Sequence, residues 1–103
     1  MILLNTTFVI PVSEETAFLN WVSQHYFPTI FRKGHAEPKL LAIPAPDELS
    51  KAFGVQFTVA DKKEAAMWRD NILPLTITKL TTAAPDTILH FTTLMDILQI
   101  NEQ

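Results

Sequence analysis

Asn5, Thr7, Gln56, Thr58, His90 and Thr92 are the side chains best equipped for chemistry in this sequence. All are hydrogen-bonding groups without formal charge, set at alternate positions of three otherwise apolar stretches. An imidazole at His90 titrates near neutrality, so it can serve as a general base or a ligand donor. The amides of Asn5 and Gln56 can orient a substrate carbonyl or an oxyanion. A simpler reading competes with each. A lone strand histidine can be hydrogen-bonded across a subunit interface, and amides commonly pair with one another and with backbone.

Other chemistries find less support. His25, His35 and His90 are widely separated and lack the close pairing with other ligands that a metal needs, so no metal site and no cofactor are expected. Cysteine is absent, which excludes disulfides, thiolate ligands and cysteine nucleophiles. Arg32, Lys33 and His35 form a small basic cluster after the first helical stretch, able to grip an anion or to cap that helix's carbonyl end. Trp21 and Trp68 fall on apolar helical stripes and read as packing residues, with Met67 and Met95 as gap fillers.

At 103 residues the chain suits one core, taken as a single domain spanning 1–103. With 48% hydrophobic and 18% charged residues it has the balance of a globular protein. The net charge of −3 gives no long-range attraction to phosphate-rich partners. The apolar start lacks a basic leader and a cleavage site, and nowhere do eighteen apolar residues run together. These features predict a cytoplasmic protein with neither a nucleic-acid nor a membrane partner.

The side chains above need elements to position them. Alternation predicts a strand over 2–10, ended by Pro11. Ser13 is the expected N-cap of a helix with Phe18, Trp21, Val22 and His25 on its stripe, running to about Lys33 and stopped by Gly34. Pro28 predicts a kink or break near Phe27. Residues 38–43 read as an edge strand bounded by prolines, and 53–60 as a third strand pairing with it. Asp61 and Glu64 have the spacing of a capping box opening a second helix, whose expected buried stripe is Trp68, Ile72 and Leu75. Pro74 threatens that helix, with Leu75–Leu80 expected to resume it. Ala84–Asp86 reads as a turn and Thr87–Met95 as a fourth strand, followed by an apolar tail over about 94–103.

The order βαββαβ with right-handed crossovers predicts an α+β, ferredoxin-like fold: a four-stranded antiparallel sheet in order 4-1-3-2 with two helices on one face. The other face is then bare. If the six polar side chains share it, a dimer interface or ligand pocket explains why they carry no charge, with Leu40 or Ala42 and the tail closing the rim.

The opening Ile2-Leu-Leu-Asn-Thr-Thr-Phe-Val9, the Trp21-x6-Pro28 helix ending in Gly34, and the closing Phe91-Thr-Thr-Leu-Met95 resemble a family of small, functionally uncharacterised bacterial proteins. The resemblance covers nearly the whole chain and implies the dimeric α+β barrel form of the ferredoxin-like fold. The family's histidine two residues before the proline is replaced here by Tyr26, with His25 one step earlier, and the resemblance implies no activity.

RNA-recognition motifs share this element order, but the third strand, Lys51-Ala-Phe-Gly-Val-Gln-Phe57, lacks the glycine after the lysine and the register of aromatics that RNA stacking needs. The expectation is a homodimer with room for a small-molecule ligand at the sheet-to-sheet interface. One alternative is a cofactor-free oxygenase or isomerase using His90 beside Asn5 or Gln56, a reading that rests on fold analogy. Another is a partner-binding module using the exposed second strand or the tail.

Overall fold

The computed structural model describes residues 1–35, 37–80 and 87–98. Four antiparallel strands form one open sheet: β1 (Ile2–Pro11), β2 (Lys39–Ile43), β3 (Ser50–Val59) and β4 (Leu89–Asp96), in the order β2-β3-β1-β4. This is the expected order, read from the opposite edge. The protein is therefore α+β, with two helices between the strands. The expected turn at 84–86 and the end of the tail, 99–103, lie outside the described residues.

Strict alternation along β1 sends Ile2, Leu4, Thr6, Phe8 and Ile10 to one side, where all five are buried. The helices contribute Phe18, Trp21, Val22, Tyr26, Ile30, Ala65, Trp68 and Leu73 to the same core, so both cover that side. Aromatic rings fill its centre. Phe8 lies 5.0 Å from Phe18 and 5.6 Å from Trp21, and Phe57 meets Trp68 edge-on at 4.7 Å.

The first helix starts later than the Ser13 cap implies. A 3-10 turn, Val12–Glu14, intervenes, and no side chain caps the helix that follows. That helix comprises α1 (Glu15–Trp21), a π-helical turn (Val22–Tyr26) and α2 (Phe27–Arg32). The wide turn is how the chain tolerates Pro28, whose ring would collide with the carbonyl four residues back in a regular helix. The Phe27 N–H reaches the Val22 carbonyl, and the Thr29 hydroxyl donates to the His25 carbonyl at 2.7 Å. The second helix repeats the device: α3 (Lys62–Met67), a π-helical turn (Trp68–Ile72) and α4 (Leu73–Ile77), with Pro74 early in α4 and the Thr76 hydroxyl donating to the Ile72 carbonyl at 2.9 Å.

Each wide turn shifts the buried stripe by one residue. Trp68 is followed in the core by Leu73 and Thr76, while Leu75, expected inside, is 69% exposed. Likewise Tyr26 and Ile30 continue the first helix's buried face, and His25 is only half-buried. The two helices are tied by the Trp21 indole N–H, which donates to the Thr76 carbonyl at 2.9 Å.

Both helix ends follow the sequence signals. Gly34, at φ 86°, closes the first helix: its N–H bonds the Phe31 carbonyl, and the His35 N–H bonds the Ile30 carbonyl. This is a Schellman motif. At the second helix's start Asp61 Oδ1 accepts the Glu64 N–H at 2.9 Å, and Glu64 Oε2 reaches back to the Ala60 N–H at 3.2 Å. No described helix is long and apolar enough to cross a membrane.

Candidate functional site

The side of the sheet away from the helices has no covering layer among the described residues. Register fixes what it presents, since paired residues share a face. Four rows cross it: Ile43, Ala52, Val9 and Leu89; then Leu41, Gly54, Thr7 and Phe91; then Lys39, Gln56, Asn5 and Thr93; then Thr58, Leu3 and Met95. The first row is apolar. The third is a continuous line of hydrogen-bonding groups across all four strands.

The rows bring together Asn5, Thr7, Gln56 and Thr58 but exclude His90 and Thr92, which corrects the expected six-residue face. His90 pairs with Phe8, and Thr92 with Thr6, both on the helix-covered side. The His90 ring lies 6.0 Å from that of Phe8, and the Thr92 and Thr6 hydroxyls are 3.0 Å apart. Partial burial against Phe8 holds the His90 imidazole below its ordinary pKa by desolvation. An oxygenase or isomerase that needs His90 beside Asn5 or Gln56 is not supported by this arrangement, because the sheet separates them.

Thr6 explains the orientation of β4. It is fully buried between Leu4 and Phe8, where a hydroxyl needs partners. Thr92 supplies one and Tyr26 another; the Tyr26 hydroxyl also accepts the Trp68 indole N–H at 3.3 Å. Burial pushes the Tyr26 phenol above its ordinary value, partly offset by the bonds to Trp68 and Thr6. Turning β4 over would put Phe91 in the core, at the cost of leaving Thr6 without Thr92. β2 follows the same rule: Leu40 and Ala42 face the helix side, and Leu41 and Ile43 reach the open face.

The open face has relief. Gly54 leaves a hollow between Leu41 and Thr7, and Asn5 leans into it: a Cβ at Gly54 would sit 3.1 Å from Asn5 Oδ1 and 3.3 Å from Ile43 Cδ1. The Asn5 amide is fixed from its other end, where Nδ2 donates to Thr7 Oγ1 at 3.1 Å. At the polar end, a depression of about 260 Å³ is lined by Leu3, Glu37, Lys39, Gln56, Phe57 and Thr58. Phe53 and Phe57 point into the helix-side core, so neither ring is offered to a base. Beside the half-buried Leu3 and Val9, the exposed large apolar side chains on the open face are Leu41, Ile43, Leu89, Phe91 and Met95, with Phe91 59% exposed. The sequence reading missed them. Leu89 and Phe91 alternate equally well in either orientation of β4, and what decides between them is the need of the buried Thr6 hydroxyl for the Thr92 partner.

A second cluster lies at the end of β3. His35 Nε2 is 3.1 Å from Glu64 Oε1, with the imidazole packed 5.4 Å from Phe57 and edge-on to Trp68. The capping box identified Glu64; the Schellman turn that carries His35 to it is a tertiary consequence. No three described His, Asp or Glu side chains lie close enough to hold a metal ion.

This layout, with its bare amide-and-hydroxyl row, accompanies a clear relationship. Residues 1–98 match the domain of unknown function DUF4286. The chain belongs to that family. The match spans β1 through the whole of β4, so the open face and the His35–Glu64 pair both lie within the family domain. Among curated proteins nothing matches the chain. Its function is accordingly unknown, and the geometry must carry any reading of it.

Proposed function

We propose that this protein is a cytoplasmic homodimer of the ferredoxin-like fold in which two open faces pack together, as in a dimeric α+β barrel, and enclose a small ligand pocket. The observation that carries this reading is the open face itself: Leu41, Ile43, Leu89, Phe91 and Met95 exposed around a hydroxyl-and-amide centre. An apolar patch of this kind on one face marks an interaction surface.

A second copy suits it better than a different partner. Among the described residues the face is nearly free of charge, with Lys39 its one cation and Glu37 nearby on the rim of the same depression. A two-fold axis lying between the two sheets and parallel to the strands would place apolar rows on apolar rows and give Asn5, Thr7 and Gln56 complementary amides and hydroxyls to bond. The hollow over Gly54 and the depression beside Lys39 would then become enclosed spaces lined by neutral donors and acceptors, suited to a small polar molecule.

Native mass spectrometry of gently purified protein tests both parts. A dimer that becomes monomeric in Thr7→Arg and Phe91→Arg variants with unchanged circular dichroism supports the interface, and retained extra mass on the dimer supports the pocket. Variants that remain dimeric overturn the face-to-face arrangement.

A further inference from the structure

Glu37 and Lys39 bring opposite charges to the depression at the polar end of the open face, yet neither forms an ion pair with any described residue. They line a space of about 260 Å³ together with Leu3, Gln56 and Thr58. Register puts Leu3, Lys39, Gln56 and Thr58 on the same side of the sheet. The Gln56 amide and the Thr58 hydroxyl have no hydrogen-bond partner among the described residues, and neither is buried out of reach. Glu37 also holds a left-handed backbone, with φ 56°. Glycine adopts that conformation most easily, so the carboxylate stands at a position where local geometry favours having no side chain.

These groups discriminate by charge. A simple anion drawn to Lys39 meets Glu37, and a simple cation drawn to Glu37 meets Lys39. A neutral molecule covers both charges without pairing either, at a desolvation cost that rises as the space closes. A molecule with one positive and one negative group satisfies both heads at once. The Gln56 amide, both donor and acceptor, and the Thr58 hydroxyl then bond the remaining positions of those groups. Leu3, with Met95 paired beside it on the same face, supplies an apolar wall.

We infer that this depression binds a zwitterionic α-amino acid with an aliphatic side chain. The Lys39 ammonium takes the α-carboxylate, the Glu37 carboxylate takes the α-ammonium, and the side chain lies on Leu3. The site rests on the face-to-face dimer proposed above for its closure, while its charge pattern belongs to each subunit.

Isothermal titration of the full-length protein with four compounds tests this. L-leucine carries both charges, 4-methylpentanoate is leucine without its ammonium, 3-methylbutylamine is leucine without its carboxylate, and glycine has both charges without the side chain. Leucine should bind at least about 10-fold tighter than either singly charged analogue, the worth of one lost charged hydrogen bond. Glycine should bind more weakly than leucine. Glu37→Gln should weaken leucine and strengthen 4-methylpentanoate, and Lys39→Gln should weaken leucine and strengthen 3-methylbutylamine. Both positions are exposed, so the variants should keep the wild-type circular dichroism. No binding of leucine or glycine at about 10 mM, weaker than any useful affinity, overturns the inference. So do analogues that bind as well as leucine, or variants that weaken every compound alike. Native mass spectrometry of the same samples separates the two proposals. A dimer that binds neither amino acid overturns the ligand and leaves the dimer standing. A monomer that binds leucine with the stated preferences supports the amino-acid site and overturns the face-to-face dimer.

Discussion

The hydroxyls of Thr6 and Thr92 lie 3.0 Å apart on the helix-covered side of the sheet, joining the central strand β1 to the edge strand β4. Thr6 is fully buried, so its pairing is a condition of folding with β4 this way up. Thr92→Val keeps the shape and removes the partner. Because Tyr26 still bonds Thr6, the expected loss is about 1 kcal/mol, close to the net worth of one hydrogen bond. Thr6→Val should cost more, since both Thr92 and the Tyr26 hydroxyl lose a partner. Urea denaturation of the two single variants and the double variant gives the coupling, and a double variant equal to the sum of the singles would sink the idea of a linked chain.

The buried tie between the helices makes a separate prediction. Trp21 Nε1 donates to the Thr76 carbonyl, while the Thr76 hydroxyl bonds Ile72 within its own helix. Trp21→Phe preserves much of the aromatic packing and removes the indole donor, but the Thr76 carbonyl keeps the Lys79 N–H at 3.1 Å, so the expected loss is about 1 kcal/mol. Thermal melts should show the loss. A drop of only a few tenths of a kcal/mol would mean that the carbonyl finds water instead.

Much of this architecture was legible in the residues. The four strands, their order, the Gly34 stop and the Asp61–Glu64 cap each depend on chemistry carried within a few positions of chain. What escaped depends on longer range. Pro28 and Pro74 signalled interrupted helices, but the chain answered with π turns that keep each helix running and rotate its face, which is why Leu75 is outside and Thr76 inside. His90 and Thr92 were misplaced for a related reason: β4 is amphipathic in neither orientation, with Leu89 and Phe91 on one side and Ile88 and Leu94 on the other. Its face is set by Thr6 and Phe8 across the register. Four of the six site residues survive on the open face because β1 and β3 alternate clearly on their own.

Gly54 controls the relief of that face. It sits opposite Thr7 and Leu41, and Asn5 Oδ1 occupies the space its missing side chain leaves. In Gly54→Ala the new Cβ would approach Asn5 Oδ1 to 3.1 Å and Ile43 Cδ1 to 3.3 Å, so the amide must swing away and its bond to Thr7 is strained. A destabilisation of about 1 kcal/mol is expected from overpacking, together with weakened self-association if the hollow belongs to a dimer pocket. Denaturant melts and native mass spectrometry read the two effects separately. An unchanged melt would show that Asn5 moves freely, and that the hollow is not a fixed part of the face.

The capping carboxylates separate fold from chemistry at the second helix. Asp61 holds the Glu64 N–H but does not touch His35, so Asp61→Ala should cost about 1 kcal/mol as a lost N-cap. The His35 tautomer, read from nitrogen-resolved NMR of labelled histidine, should be unaffected. Glu64→Gln should do the reverse, with a smaller stability change and a redistribution between Nε2–H and Nδ1–H forms. If both variants shift the tautomer equally, His35 responds to the helix end as a whole and not to the Glu64 carboxylate.

His90 should give the protein a defined sensitivity to acid. Its imidazole is partly desolvated against Phe8, which holds the folded-state pKa below the ordinary value of 6.5 expected for the unfolded chain. Between those two values the unfolded chain binds more protons than the folded one, so stability rises with pH across the window. The contribution is fully present above 6.5 and is lost as the pH falls from 6.5 toward the folded value. His90→Phe keeps a ring against Phe8 and removes the titration. Denaturant melts at about pH 7.5 and about pH 5.5 should therefore show a smaller acid-induced loss in the variant than in the wild type. Because His25, His35 and the carboxylates are common to both proteins, the difference isolates His90, and equal losses would place its imidazole in water instead of on Phe8.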